Sequence, residues 1–349
     1  MNWLKSYLEH RTQVVSYDGH MSSPSDIKLG VPHGSILGPL FFMIFMNDIV
    51  LEISSTEFDM YADDSTHYTS AQTIQELSSK LTHHSLPLCK WITENKMVLN
   101  VEKTECMIFY KQQGINISDL NVFIGNSAVS SVKCHKLLGV HIDNRLSWEV
   151  HVDKLCSKLR NRLFLFNNIK CLLPTYARTM YFDGMVQPVI DYGCTIWGSC
   201  QKQYLQRVHK LLKIFGRSIL DVKDKRQIST VSLFQKLGWL PLNERIKYFK
   251  CVQMYNIMRE SSPHYLKSNF KLVSSVHERC TRQSIANKLY IPRFKTNYGK
   301  QTFKYTGAVL WNELKDEIKN AQTVETFKAL YMQSIKETIY SVEHFELDS

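Results

Sequence analysis

The chain has 349 residues, 44% of them hydrophobic, with a formal net charge of +11, which allows two packed units, each with its own core. Its nine cysteines are scattered without a Cys-x-x-Cys pair, which excludes a disulfide framework and points to reduced thiols. Residues 1–142 hold 10 Lys and Arg against 14 Asp and Glu, net −4, whereas residues 143–349 hold 33 against 18, net +15. A basic module beside an acidic one suits a protein that holds a polyanion, although a generic basic surface gives the same balance.

In chain order, the first predicted element is an amphipathic helix over Trp3–Arg11. Met1–Lys5 leads straight into it without a signal peptide, so the chain is expected to be intracellular, in cytoplasm or nucleus. An extended pair follows, with Asp18-Gly19 as its turn. Gly30, Gly34 and Gly38 with Pro32 and Pro39 then make a tight passage into the apolar segment Leu40–Met46, which is far too short to span a membrane. Pro39 suits a first helical turn, and the glycines let a base pair approach the backbone; a buried helix with a glycine-rich lead-in accounts for the same residues.

Phe58–Ala62 reads as a strand, with Asp63 and Asp64 at its tip. No basic residue lies between Lys28 and Lys80. Adjacent carboxylates repel, which raises the pKa of one unless a cation neutralises them. Mg²⁺ takes one or two carboxylates together with substrate phosphate oxygens and is the natural counterion. The alternative is an ordinary acidic turn.

A helix from Ile74 to Glu94 aligns Leu77, Leu81, Leu88 and Trp91, and Pro87 within it predicts a kink or two helices. Lys103 follows a strand over Met97–Asn100, and Leu137–Ile142 predicts a hairpin. The domain boundary is expected between Ile142 and His151. Around it, Cys134, His135, His141, His151 and Cys156 match no zinc spacing.

Beyond that boundary, Val152–Leu173 places Leu155, Leu159, Leu163 and Phe166 in one stripe and Lys154, Lys158 and Arg162 on an adjacent face. Tyr204–Arg217 repeats the design, with Leu205, Val208, Leu212 and Phe215 inside and Arg207, Lys210, Lys213 and Arg217 outside. Ser232–Leu237 and Leu242–Met258 read as helices separated by Gly238 and Pro241. Arg293–Tyr305 interleaves bases and aromatics, which fits single-strand contact or a surface hairpin whose aromatics pack inward. A last helix, about Val324–Ile339, gathers Phe327, Leu330, Tyr331 and Ile335 on one face.

The run Gly-Val-Pro-x-Gly-Ser-Ile-Leu-Gly-Pro at 30–39, followed by Tyr-Ala-Asp-Asp at 61–64, resembles the reverse transcriptase of non-LTR (LINE-type, jockey-like) retrotransposons. Trp91–Asn100 with Lys103-Thr104, then Lys136–Asp143, Tyr192–Gly198 and Gly307–Asn312, extend the resemblance over nearly the whole chain. It implies an α+β fold: an incomplete polymerase palm, an antiparallel sheet with packed helices, over 1–143, an α-helical thumb over 144–220 and a mainly helical C-terminal region over 221–349.

The resemblance also implies template-directed nucleotidyl transfer with two Mg²⁺ ions, and an RNA template, a DNA primer and a dNTP as partners. Asp63 and Asp64 would be metal ligands, Lys103 would face the triphosphate and Tyr61 would pack near the primer end. Pro32, His33, Gly34 and Ser35 would border the template base and incoming nucleotide, and Leu138, Gly139 and Val140 would grip the primer. Lys154, Lys158, Arg162, Arg207, Lys210 and Lys213 would meet the nucleic-acid backbone. No membrane partner is implied, and oligomeric state stays open.

Two departures stand out. His33 occupies a position where the family usually has Gln, and imidazole is shorter and titratable. The family's first catalytic Asp, from an Ala-Phe-Asp-x-Val-Asp-His-like block, belongs upstream of the Trp3–Arg11 helix, and Asp18, in a hairpin-turn signal, and Asp26 are the only conceivable substitutes ahead of the glycine block. The chain as given, read as N-terminally truncated, is therefore expected to have little or no polymerase activity. The alternative is a catalytically silent nucleic-acid-binding protein derived from a retroelement.

Overall fold

The computed structural model describes residues 2–32, 34–53, 57–110, 119–224, 226–276 and 288–341. They form helices and short ladders, an α+β composition, divided into two units, Met1–Val132 and Lys133–Ser349. Among the described residues every sheet has only two strands. The continuous antiparallel sheet expected for residues 1–143 is thus replaced by separate ladders, one of them a parallel pair joining Glu105–Cys106 to Ser130–Ser131.

The first unit begins with α1 (Asn2–Leu8) and the antiparallel pair β1 (Arg11–Gln13) and β2 (Ser25–Ile27). Between them Asp18 and Gly19 both take positive φ, 47° and 77°, and close the small hairpin Ser16–Tyr17/His20–Met21 as the Asp-Gly signal predicts. Helices α2 (Gly38–Met46) and α3 (Ile49–Glu52) precede β3 (Glu57–Tyr61) and β4 (Asp64–Tyr68), which pair antiparallel.

Helix α4 (Ile74–Glu94) runs unbroken through Pro87, so one helix stands where two were an option. Its two ends are anchored in different clusters. Ile74, Leu77 and Leu81 pack against Ile108, Leu120, Val122 and Val129, whereas Leu88 and Trp91 join Met46, Ile49 and Ile53. Proline forfeits one helical hydrogen bond, and burial of the two large side chains just beyond it, worth roughly 1.5–3 kcal/mol each, offsets that loss.

The second unit opens with the hairpin β5 (Cys134–Leu137) and β6 (Val140–Asp143). Asp143, itself buried, accepts from the backbone N–H groups of Arg145, Ser147 and Trp148 at 3.1, 3.0 and 2.8 Å, fixing the turn into α5 (Glu149–Ile169). Helices α6 (Thr175–Tyr181), α7 (Lys202–Ile219) and α8 (Thr230–Leu237) follow. The predicted stripes form the core: Leu155, Leu159 and Phe166 of α5 with Val208, Leu212 and Phe215 of α7, all in one buried cluster.

Helix α9 (Leu242–Met258) spans both cores of this unit, giving Leu242 and Ile246 to the first and Cys251, Met254 and Tyr255 to the second. Close approach is secured at Gly198, where a Cβ would stand 2.7 Å from the Ile246 side chain and 2.3 Å from the Cys194 carbonyl. Helices α10 (Phe303–Glu313) and α11 (Val324–Ser341) complete the second core with Ala308, Trp311, Phe327, Tyr331 and Ile335.

The segment 293–305 resolves into bases out and aromatics in. Arg293, Lys295, Lys300 and Lys304 are exposed, while Phe294, Phe303 and Tyr305 are half-buried. Phe294 lies so close over Gly299 that a Cβ there would meet its ring at 2.4 Å, and Phe303 packs on the second core. Only Tyr298 of these aromatics stays open, at 48% exposure.

Candidate active site

Two adjacent strands and one tight turn create the carboxylate tip. Tyr61 pairs with Asp64, so Ala62 and Asp63 alone make the loop of the β3–β4 hairpin, and Ala62 accepts a left-handed φ of 54° to close it. The base of the hairpin is anchored by Phe58, which packs on the Met46, Ile49 and Trp91 cluster and lies 4.7 Å from the His67 ring. The tip stands in solvent: Tyr61, Ala62, Asp63 and Asp64 are all exposed.

Among the described residues neither carboxylate has an ion-pair partner. Two unpaired hard-oxygen donors, side by side and open, suit one divalent cation that keeps waters and takes substrate oxygens. They fall short of a cage. Among the described residues no group of three acidic, His or Cys side chains is placed to hold a metal ion.

The hairpin also shapes its own titration. Burial, then the neighbouring His84, hold His67 below the usual imidazole range, and neither ring nitrogen has a hydrogen-bond partner. Burial, followed by the charges of Asp59 and Glu57, pushes the Tyr68 phenol up.

The glycine block is organised by contacts that sequence spacing does not announce. Arg11 donates to the carbonyls of Leu8, Leu29 and Gly30, tying the entry of the block to the end of α1. Ser35 Oγ accepts from the Gly38 N–H at 3.0 Å, which ties the loop to the first residue of α2. Pro32 is half-buried, Gly34 is exposed with φ of 76°, and Ile36 projects at 95% exposure. His33 lies outside the described residues.

Lys103 ends a single helical turn, Val101–Lys103, and its own backbone N–H donates to Asn100 Oδ1 at 3.1 Å. Its side chain is exposed and makes no ion pair with Asp63 or Asp64.

The remaining candidates sit in the second unit. Leu138 and Gly139 form the two-residue turn of β5–β6, with φ of 44° and 84°, and Leu138 is partly exposed. Val140 faces the other way, at 6% exposure within the helical core, and so anchors the turn. On α5, Lys154 and Lys158 are exposed and Arg162 is half-buried. On α7, Lys210 is exposed and Lys213 half-buried, while Arg207 is paired with Asp153 of α5. Behind this face His151 is buried; burial, then His141 and Lys158, lower its pKa to about 4, and its Nδ1 accepts from the His141 N–H at 3.3 Å.

The acidic tip lies within a stretch that a known protein family matches. Residues 1–142 match the family described as reverse transcriptase (RNA-dependent DNA polymerase). The full-length proteins that the chain resembles include RNA-directed DNA polymerases of mobile elements. The chain is 26% identical over 236 residues to the RNA-directed DNA polymerase from mobile element jockey of Drosophila melanogaster, covering 65% of this chain and 24% of that protein. With the probable RNA-directed DNA polymerase from transposon X-element of the same species it shares 25% identity over 62% of this chain and 24% of the relative. The Pol polyprotein from retrotransposable element R1 of Nasonia vitripennis is 23% identical over 64% of this chain and 69% of that protein. The chain thus spans about a quarter of the length of its jockey and X-element relatives. No solved structure matches it significantly. Among the described residues no helix is long and apolar enough to cross a membrane.

Proposed function

We propose that this chain supplies the carboxylate hairpin and part of the nucleic-acid-holding surface of an RNA-directed DNA polymerase, in which a primer 3′-hydroxyl attacks the α-phosphate of a dNTP on an RNA template. One observation carries the reading: Asp63 and Asp64 stand together at an exposed tip with no cation partner among the described residues. Bound magnesium supplies the charge that activates the hydroxyl and steadies the leaving pyrophosphate. Asp63 holds the ion, Asp64 assists, and Tyr61 borders the primer end. Lys103 offsets charge on the triphosphate, and Pro32, His33, Gly34 and Ser35 border the base pair.

In this reading residues 1–143 act as the palm portion, 144–220 as the thumb and 221–349 as the C-terminal region. Leu138 and Gly139 touch the primer from a turn that Val140 anchors, and Lys154, Lys158, Arg162, Arg207, Lys210 and Lys213 follow the phosphates. Two-ion catalysis needs a carboxylate that bridges both cations, and the hairpin offers two carboxylates without a third. The 349-residue chain alone therefore extends a primer poorly or not at all, each tenfold in rate costing about 1.4 kcal/mol.

The test is primer extension on an RNA template with dNTPs and Mg²⁺. The expected result is no product above the level of Asp63→Ala. Extension that Asp63→Ala abolishes would overturn the predicted inactivity and keep the hairpin's role; extension that survives the substitution would overturn both. The excess charge of residues 143–349 favours a second reading, nucleic-acid binding without chemistry. Salt-dependent RNA binding with no incorporation is its signature.

A further inference from the structure

A cleft of about 480 Å³ opens in the second unit, at the end of α9, and is lined by none of the site residues assigned above. Its size falls within the range of small-molecule sites, roughly 300–1,000 Å³. Its lining divides by chemistry. His264, Lys267 and Lys271 supply cationic and hydrogen-bonding groups, while Phe270 and Leu272 supply an apolar wall and Ser275 borders the opening.

The site is built on fixed backbone. Asn312 of α10 donates its Nδ2 to the Leu289 carbonyl and accepts from the Leu289 N–H, both at 2.8 Å. Leu289, which also lines the cleft, bridges to Leu272, and the Tyr290 N–H donates to the Lys271 carbonyl at 2.8 Å. Phe270 is held edge-on to Phe303 at 6.0 Å. The polar rim and apolar wall are thereby locked to the second core rather than carried on a free loop.

Charge selects the class of ligand. Between Met258 and Ser275 the chain carries Arg259, Lys267 and Lys271 against Glu260 alone. Arg259 is committed to the Ala321 carbonyl and the Tyr255 ring, and Lys267 is paired with Glu260. Lys271 is exposed at the rim, beside His264, and Tyr265 stands 68% exposed on the same short turn. A ligand with an apolar planar body and an anionic end satisfies this arrangement. A base fits against Phe270 and Leu272, a phosphate at Lys271 and His264, and a neighbouring base on Tyr265, the combination of stacking and cation that single strands use.

We propose that this cleft seats one nucleotide of a single-stranded nucleic acid, a binding site separate from the carboxylate hairpin. It goes beyond the polymerase reading and does not depend on it, because every contact lies within residues 258–312.

The experiment uses the full chain and a fluorescent octauridylate followed by anisotropy, with uridine monophosphate as the free-nucleotide probe. Lys267→Gln/Lys271→Gln is expected to weaken octauridylate binding at least tenfold and to reduce the salt slope by roughly 0.7, the share of Lys271, because Lys267 is already paired with Glu260. Ser275→Trp, which fills the cleft without changing charge, is expected to weaken it at least tenfold as well. Lys295→Gln/Lys304→Gln, a matched change at exposed lysines outside the cleft, should cost less than threefold. Millimolar uridine monophosphate should shift the Leu272 and Leu289 methyl resonances, which shows the cleft taking a single nucleotide. The proposal is overturned if Ser275→Trp binds like the native chain, if the control pair loses as much as the cleft pair, or if those methyls do not move. Should Ser275→Trp fail to fold by circular dichroism, the lysine pairs and the methyl shifts decide alone. Asp63→Ala should bind octauridylate normally, so loss of polymerase function and loss of this site read out separately.

Discussion

The Tyr192 hydroxyl donates to the Leu138 carbonyl at 2.6 Å, and the same ring lies 3.2 Å from where a Cβ on Gly139 would stand. One side chain from the Tyr192–Gly198 block therefore holds the β5–β6 turn shut. Tyr192→Phe should lower stability by about 1 kcal/mol. Gly139→Ala should cost more, roughly 1–2 kcal/mol, because φ is +84° and the ring leaves no room. Urea denaturation of both variants checks the order; a cheaper Gly139→Ala would show that the turn relaxes freely.

Asp143 is buried and satisfies three backbone donors at once. Asp143→Ala leaves all three unpaired at the start of α5, at an expected cost of about 2–4 kcal/mol. Asp143→Asn, which retains one acceptor oxygen, should recover part of it. Thermal melts of the two variants distinguish this local knot from a dispensable turn.

His151 sets an acid limit on the second unit. Its folded pKa, about 4, lies below its ordinary value of 6.5 because burial and the cations around it disfavour the charged ring. The unfolded chain therefore binds more protons between pH 4 and 6.5, and the stability His151 contributes is present above 6.5 and lost as pH falls through that window. The loss is at most about 3 kcal/mol. His151→Gln should flatten the stability profile there, measured by denaturant titration at stepped pH.

Lys250 acts at the opposite end of the scale. It is buried in α9 with no carboxylate, donating to Ser199 Oγ at 2.6 Å and Thr306 Oγ1 at 3.2 Å, and burial lowers its pKa to about 8. Between pH 8 and about 10.5 the unfolded chain holds the extra proton, so this residue's contribution rises with pH. Cys194, Cys200 and Cys251, pushed up to about 12, oppose it above their ordinary value of 9.0. The stability difference between native chain and Lys250→Met isolates the lysine: it should shift toward the native chain from pH 8 upward, and a difference independent of pH would refute the assignment.

How much of this was legible depends on whether the deciding neighbour is near in sequence. The stripes Leu155, Leu159, Phe166 and Val208, Leu212, Phe215 were readable because helical periodicity is local, and the Tyr-Ala-Asp-Asp tip because a two-residue loop must follow a strand. Other features were set by distant partners. Arg207 reads as an available cation until Asp153, 54 positions earlier, comes across from α5. Val140 reads as part of a gripping turn until the helical core covers it. Arg11 and Asn312 carry no periodic or motif signal for the backbone they hold, and Pro87 reads as a breaker until burial on both ends of α4 overrides it. The Lys250 ammonium gives no sequence sign of burial at all.

The β3–β4 ladder has a further consequence. Among the described residues both of its edges end in unpaired backbone groups, the kind of template on which foreign chains add strands and aggregate. Glu57, Asp59, Asp63 and Asp64 place four negative charges on one short hairpin, which makes it repel its own copies. The acidity that leaves the tip open to a cation thus also discourages this hairpin from taking up a strand of a second copy.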